Sequence, residues 1–189
     1  RTEPQLRGKG YALQWLLERL WSSSLIPDAI VILDADTVVS ANFLNVMDRH
    51  MQSGVRAVQA YYAVRDPGRS WNTGLRYAAL AVLHYLRPLG RMLWGASAGL
   101  KGNGMVFAAD VLRQHPWTSS VVEDIELHMA LLLSGERVTF AREAIVWGEM
   151  PDSLRQSASQ HTRWESGRLE MARRYVPKLA RAGWQAARK

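Results

Sequence analysis

The sequence predicts an α/β layered domain with a central, mostly parallel sheet flanked by helices, and three observations carry that prediction. Short apolar runs alternate with longer stretches of helical spacing, the pattern of strands covered by helices. One run, inside Pro27-Asp28-Ala29-Ile30-Val31-Ile32-Leu33-Asp34-Ala35-Asp36, is apolar from end to end, as expected of a strand buried on both faces of a parallel sheet. It stops at two carboxylates, and open α/β sheets bind their ligands beyond such strand ends.

The elements follow in order. Residues 1–9 are polar, which predicts poor order, and the chain lacks an initiator Met, which points to a fragment. Gly8-Lys9-Gly10 leads into a helix over 11–20, Ser22-Ser23-Ser24 reads as a loop, and the organising strand follows. Ser40 is placed to cap a helix running to about Met51. Residues 55–62 read as a strand closed by the turn chemistry of Asp66-Pro67-Gly68. A long helical stretch over 71–94 ends at Gly95, and Met105-Val106-Phe107 forms a short strand behind a glycine-rich loop. A helix over 108–114 stops at His115-Pro116, another covers 123–133, and 137–140 and 144–147 are two short strands. From Ser153 on the pattern is helical and basic, with a break expected near Pro177.

Composition narrows the classes. The 189 residues suffice for one cored domain, and a hydrophobic share of 48% argues against disorder. With no cysteine, disulfides and thiolate metal sites are excluded. The net charge of +7 comes entirely from residues 155–189, which hold nine basic and two acidic side chains. Such a segment favours a phosphate-bearing ligand, a polyanion or an anionic membrane surface.

Three constellations carry chemistry. In an extended chain Asp34 and Asp36 project to one side, where a hard divalent ion such as Mg²⁺ or Mn²⁺ would relieve their repulsion and also hold a diphosphate; a capped strand end is the plainer alternative. Glu123 and Asp124 open a helix, where the dipole alone favours carboxylates, but Asp124 also suits a general base whose pKa a neighbouring carboxylate raises. Gln160, Arg163 and Trp164 share a helix face and offer an amide, a guanidinium fork for phosphate oxygens and an indole for a sugar ring; an amphipathic surface helix with one buried Trp is the alternative. Lys9, framed by glycines at a helix start, is placed either to approach phosphate or to sit in an exposed turn. The five histidines show no metal-ligand pairing and read as structural, His128 and His161 included.

Taken in order, Asp-Ala-Asp, Glu-Asp 88 residues after Asp36, and Gln-x-x-Arg-Trp starting 36 residues after Asp124 resemble the family 2 inverting glycosyltransferases. The likeness is strongest to the membrane-associated branch of cellulose, hyaluronan and poly-N-acetylglucosamine synthases. Gly8-Lys9-Gly10-Tyr11-Ala12-Leu13, Lys101-Gly102-Asn103-Gly104-Met105-Val106-Phe107 and Met150-Pro151-Asp152-Ser153-Leu154 are similar to that family too, so the likeness spans residues 7–174. It implies a partial, Rossmann-like GT-A domain over 1–165, its later two-thirds, with 166–189 as basic amphipathic interface helices. It also implies a nucleotide-sugar donor, usually a UDP-sugar, with Mg²⁺ or Mn²⁺ and a saccharide or lipid acceptor.

By motif, Asp34 and Asp36 would hold the donor diphosphate, Asp36 chiefly through the metal, and Asp124 would be the catalytic base. Gln160, Arg163 and Trp164 would lie near the diphosphate and acceptor, with Lys9 and Glu123 lining the donor site. The family's first strand and a nucleotide-contacting carboxylate have no counterpart here, so these residues alone are expected to be weakly active or inactive. In the full-length protein the basic helices would lie at the cytoplasmic membrane face, with no nucleic acid partner. A basic nucleic-acid-binding module would explain the charge but not the carboxylate spacing; a Mg²⁺-dependent phosphohydrolase would leave Trp164 without a task.

Overall fold

The computed structural model describes residues 8–120, 122–148, 154–186 and 188, and within the last helix it describes side chains from Glu165 on. Strands and helices alternate as the apolar pattern requires. α1 (Lys9–Trp21) leads to β1 (Ala29–Ile32), a two-residue β2 (Val38–Val39), α2 (Phe43–Gln52) and β3 (Ala57–Val64). α3 (Trp71–Ala81) passes through a π-helical turn (Val82–Leu86) into α4 (Arg87–Leu93), followed by β4 (Met105–Ala108) and α5 (Ala109–Gln114). α6 (Glu123–Leu133), β5 (Val138–Gly148) and α7 (Leu154–Ala186) complete the chain.

The five strands form one sheet in the order β1-β4-β3-β5-β2. It is mixed and not mostly parallel: β3 and β5 run parallel, whereas β1 with β4, β4 with β3, and β2 with β5 are antiparallel. β1 is also not buried on both faces, because it lies at the sheet edge with Val31 exposed. A short apolar run reports burial but carries no information about the direction of its neighbours.

Two layers of apolar side chains pack on the sheet. Leu17, Ile32, Phe107, Leu112, Trp117, Leu127, Leu131, Val138 and Phe140 form one buried cluster, and Phe43, Val46, Met47, Val58, Val106, Ala144 and Val146 form the other. Gly104 sits between strands with φ +68°, and a Cβ there would lie 2.6 Å from Val146 Cγ2, so no other residue fits without displacement.

Three local expectations change, at Ser40, over 137–147 and at Pro177, while the helix over 71–94 stands. Ser40 does not cap α2; its hydroxyl accepts from the Ile145 N–H (3.1 Å) and its N–H donates to the Ile145 carbonyl (2.9 Å), so the ladder to β5 takes it. The two predicted strands over 137–147 are one, β5, with a bulge where Ala60 pairs Ala141 but Tyr61 pairs Ile145. The helix over 71–94 continues through Pro88 by widening into the π turn, because proline has no N–H and its ring crowds the carbonyl four residues earlier, that of His84. Pro177 likewise does not break α7, since it and Arg173 lie on the exposed side where water can satisfy the freed carbonyl. Of the stretch expected to be poorly ordered, only Gly8 and Lys9 are among the described residues, and Lys9 opens α1.

α7 is tied to α6. Val122, Met171 and Tyr175 form a third apolar cluster, and the buried Glu126 carboxylate accepts from Thr118 Oγ1 (2.8 Å) and Arg174 (2.6 Å). Hydrogen bonds to a charged group contribute about 1.5–3 kcal/mol each when truncation orphans the partner. Glu126→Ala is therefore expected to lower stability by about 2 kcal/mol in urea denaturation, with faster hydrogen exchange in α7 before the sheet is affected.

Candidate active site

The site is assembled at the ends of β1 and β4 and the N-termini of α1 and α6. Gly10 is the reason α1 can start there: a Cβ on it would lie 2.4 Å from the Thr118 carbonyl oxygen, so only glycine lets the helix approach the 118–119 backbone. That approach delivers Lys9, whose Nζ donates to Asp34 Oδ1 (2.5 Å) and to the carbonyl of Gly102. Lys9 is thus neither in an isolated turn nor alone at a phosphate site; it ties Asp34 to the glycine-rich loop.

Asp34 and Asp36 do not sit on an extended strand. β1 ends at Ile32, and residues 35–36 form a turn closed by the Thr37 N–H donating to the Asp34 carbonyl (3.2 Å). Both carboxylates act on the Tyr62 phenol, which burial and then Asp34 push above its ordinary pKa. Asp36 is exposed and forms no ion pair among the described residues, in contrast to Asp34.

A buried amide network fixes this corner. Asn103 accepts from the Asp34 N–H (3.1 Å), donates to Thr37 Oγ1 (2.8 Å) and faces the Tyr62 phenol. Gln59, fully buried in β3, donates to the Asn103 carbonyl (2.8 Å) and accepts from the Lys101 N–H (2.8 Å). Gln59, Tyr62, Asn103, Thr37 and Lys101 were not singled out individually from the sequence. A glutamine amid apolar strand residues and an asparagine between two glycines are the signals that mark two of them.

The same loop reaches Asp124. A Cβ on Gly102 would lie 3.6 Å from Asp124 Oδ2, so the carboxylate packs on the glycine whose carbonyl holds Lys9. Burial raises the Asp124 pKa above the ordinary carboxylate range, while the N–H groups of Ile125 and Asp124 itself, and then Lys9 and Lys101, pull it back. Glu123 is raised by burial and, further down, by Asp124 and Asp34, with Lys9 opposing. Lys101 falls to about 8 through burial and the neighbouring Arg87 and Arg91, with Asp124 acting the other way. Asp34, Glu123 and Asp124 therefore share one electrostatic pocket around Lys9.

Gln160, Arg163 and Trp164 lie in α7 at spacings that put them on one helix face; their side chains, and that of His161, lie outside the described ones. One turn further on, Gly167 packs on Val122, where a Cβ would meet Cγ1 at 2.8 Å, and Arg168 acts electrostatically on Lys101 and His84. The middle of α7 is thereby held against the N-terminus of α6. His128 is buried with Nε2 2.9 Å from Ser97 Oγ, and burial with Arg91 lowers it to about 4, so it is neutral and structural.

Among the described residues no three carboxylates or imidazoles converge as a closed metal cage. The free Asp36 carboxylate beside the ion-paired Asp34 does fit a small divalent cation that takes one or two protein carboxylates and draws its remaining oxygen ligands from substrate phosphates and water.

The comparisons with known proteins identify the chain at the level of a family. No curated protein matches the chain. Among solved structures, it is similar to glucosyl-3-phosphoglycerate synthase from Mycobacterium tuberculosis, determined with Mn²⁺, uridine-diphosphate-glucose and glycerol 3-phosphate. The identity is 22% and the TM-score 0.44, over 79% of this chain and 50% of that one, so the chain spans about half the length of that structure. The family model described as glycosyl transferase family group 2 matches residues 29–187, from β1 through α7 and across both acidic segments. The chain therefore belongs to glycosyl transferase family group 2, and its mixed sheet with flanking helices is part of a GT-A fold.

Proposed function

We propose that this chain carries the acceptor-activating and diphosphate-binding part of an inverting glycosyltransferase. It takes a sugar from a UDP-sugar to a saccharide or lipid-linked acceptor, in polysaccharide synthesis at the cytoplasmic membrane face. The observation that supports it most is the arrangement in which Lys9 links Asp34 to the glycine loop on which Asp124 packs.

Asp124 accepts the proton of the acceptor hydroxyl as that oxygen attacks the anomeric carbon and the bond to the diphosphate breaks. Burial raises its pKa, the direction that favours a general base. Asp36, with Asp34, would hold Mg²⁺ or Mn²⁺, which supplies positive charge to the departing diphosphate. Arg163 adds charge to the same oxygens, Gln160 and Trp164 orient the acceptor ring, and Lys9 with Glu123 borders the donor. The basic C-terminal helix lies along the membrane surface. The deciding experiment is a screen of UDP-sugars for hydrolysis and transfer by the full-length protein; turnover of none of them overturns the reading.

Three results are expected. Asp124→Asn lowers kcat by about 10²–10⁴-fold with donor affinity unchanged, since general-base removal costs that much. Activity falls as pH drops through the Asp124 pKa, and Lys9→Met moves this acid limb to higher pH, because Lys9 lowers that pKa; an unmoved limb removes Asp124 as the titrating base. Asp36→Asn weakens Mn²⁺-dependent UDP binding by about tenfold or more in calorimetry, the loss of one charged ligand, while metal-free UDP binding stays the same.

A further inference from the structure

The helix from Trp71 to Leu93 has two apolar sides and uses only one of them. Tyr85, Leu89 and Met92 pack on the core, and Pro88 is buried. On the other side Trp71, Leu75, Val82, Leu86 and Leu93 are exposed, and Trp94 follows them. Trp71, Leu75, Val82, Leu86 and Leu93 recur every four or seven residues, so with Trp94 they form one strip about 35 Å long at 1.5 Å per residue. Trp71 at one end is 75% exposed and Trp94 at the other 91%. Gly90 in the same strip would meet nothing within 4 Å if it carried a Cβ, so no element of the described chain covers it. Soluble monomers seldom leave such a contiguous apolar strip bare.

The helix itself carries charge of one sign: residues 71–94 contain no Asp or Glu and hold Arg76, Arg87 and Arg91. Arg87 is exposed beside Leu86. No helix among the described residues is long and apolar enough to cross a membrane, so a surface seat is the geometry left to this strip. Indoles at the two ends, aliphatic side chains between them and the exposed Arg87 guanidinium alongside match a helix lying in the plane of a bilayer interface. There indoles sit at headgroup depth and arginines extend to anionic headgroups.

We propose that this outer face of the Trp71–Trp94 helix seats the protein on an anionic lipid surface. An apolar groove on a protein would take up the indoles and leucines but gives no reason for the missing carboxylates; an anionic bilayer accounts for both. The inference rests on the proposed membrane association and names its main contact, distinct from α7, whose Met171 and Tyr175 are already committed to α6.

The test uses the full-length protein in co-sedimentation with vesicles of phosphatidylcholine alone or mixed with phosphatidylglycerol. The double variant Leu86→Glu/Trp94→Glu, at two solvent-facing positions, is expected to keep the wild-type melting curve and bind mixed vesicles about tenfold or more weakly, because each added carboxylate is repelled and buries less apolar surface. A second variant, Val176→Glu/Trp184→Glu on the exposed side of α7, is expected to retain most binding. Binding kept by the first variant and lost by the second overturns this face while sparing membrane association. Failure of the wild type to bind mixed vesicles overturns both. Dimerisation abolished by the first variant, with no vesicle binding, assigns the strip to a second copy and overturns the proposal. Donor binding by UDP-sugar titration reads the transferase assignment separately from all three outcomes.

Discussion

One ammonium group holds the acidic corner together. Lys9 Nζ lies between the Asp34 carboxylate and the Gly102 carbonyl, and Gly102 is the surface on which Asp124 packs. Three carboxylates, Asp34, Glu123 and Asp124, lie close enough to influence one another through this point. Without a cation among them their mutual repulsion would oppose the convergence of β1, the glycine loop and α6. Because Lys9 and Asp34 are each about a third exposed, the pair contributes little to stability. Its effect is positional and electrostatic: it sets which carboxylate is neutralised and leaves Asp36 free.

The positioning of that ammonium depends on backbone approaches that side chains would block. Gly10 lets α1 touch the 118–119 segment, Gly104 lets the loop cross beneath Val146, and Gly167 lets α7 touch Val122. Buried amides then lock what the glycines permit. Gln59 and Asn103 satisfy backbone groups of the loop and of Asp34 where water is excluded, and a buried polar group left without such a partner would cost more than the bond gains. The corner is therefore preorganised by hydrogen bonds of the scaffold itself.

The sequence is informative about elements and poor about their junctions. Alternating strand and helix patterns, the long helix over 71–94 and the helix opening at Glu123 all stand as their apolar spacing predicts, because burial of a face is written locally. Strand direction is not written locally, and β1 is antiparallel to β4 at a sheet edge. The cap at Ser40 and the break at Pro177 fail for a related reason: Ser40 is claimed by Ile145, 105 residues away, and Pro177 lies on the exposed side where solvent relieves it.

By itself the sequence determined the residue types of the site and their order: carboxylates at a strand end, a carboxylate pair at a helix start, and a glycine-framed lysine, because these are set by local chain chemistry. The packed fold is what pairs Lys9 with Asp34 and lets Gln59 and Asn103 brace the neighbouring loop. Those contacts join residues 25 to 69 positions apart. Their formation depends on how the packed sheet brings backbone ends together, a constraint no single segment carries.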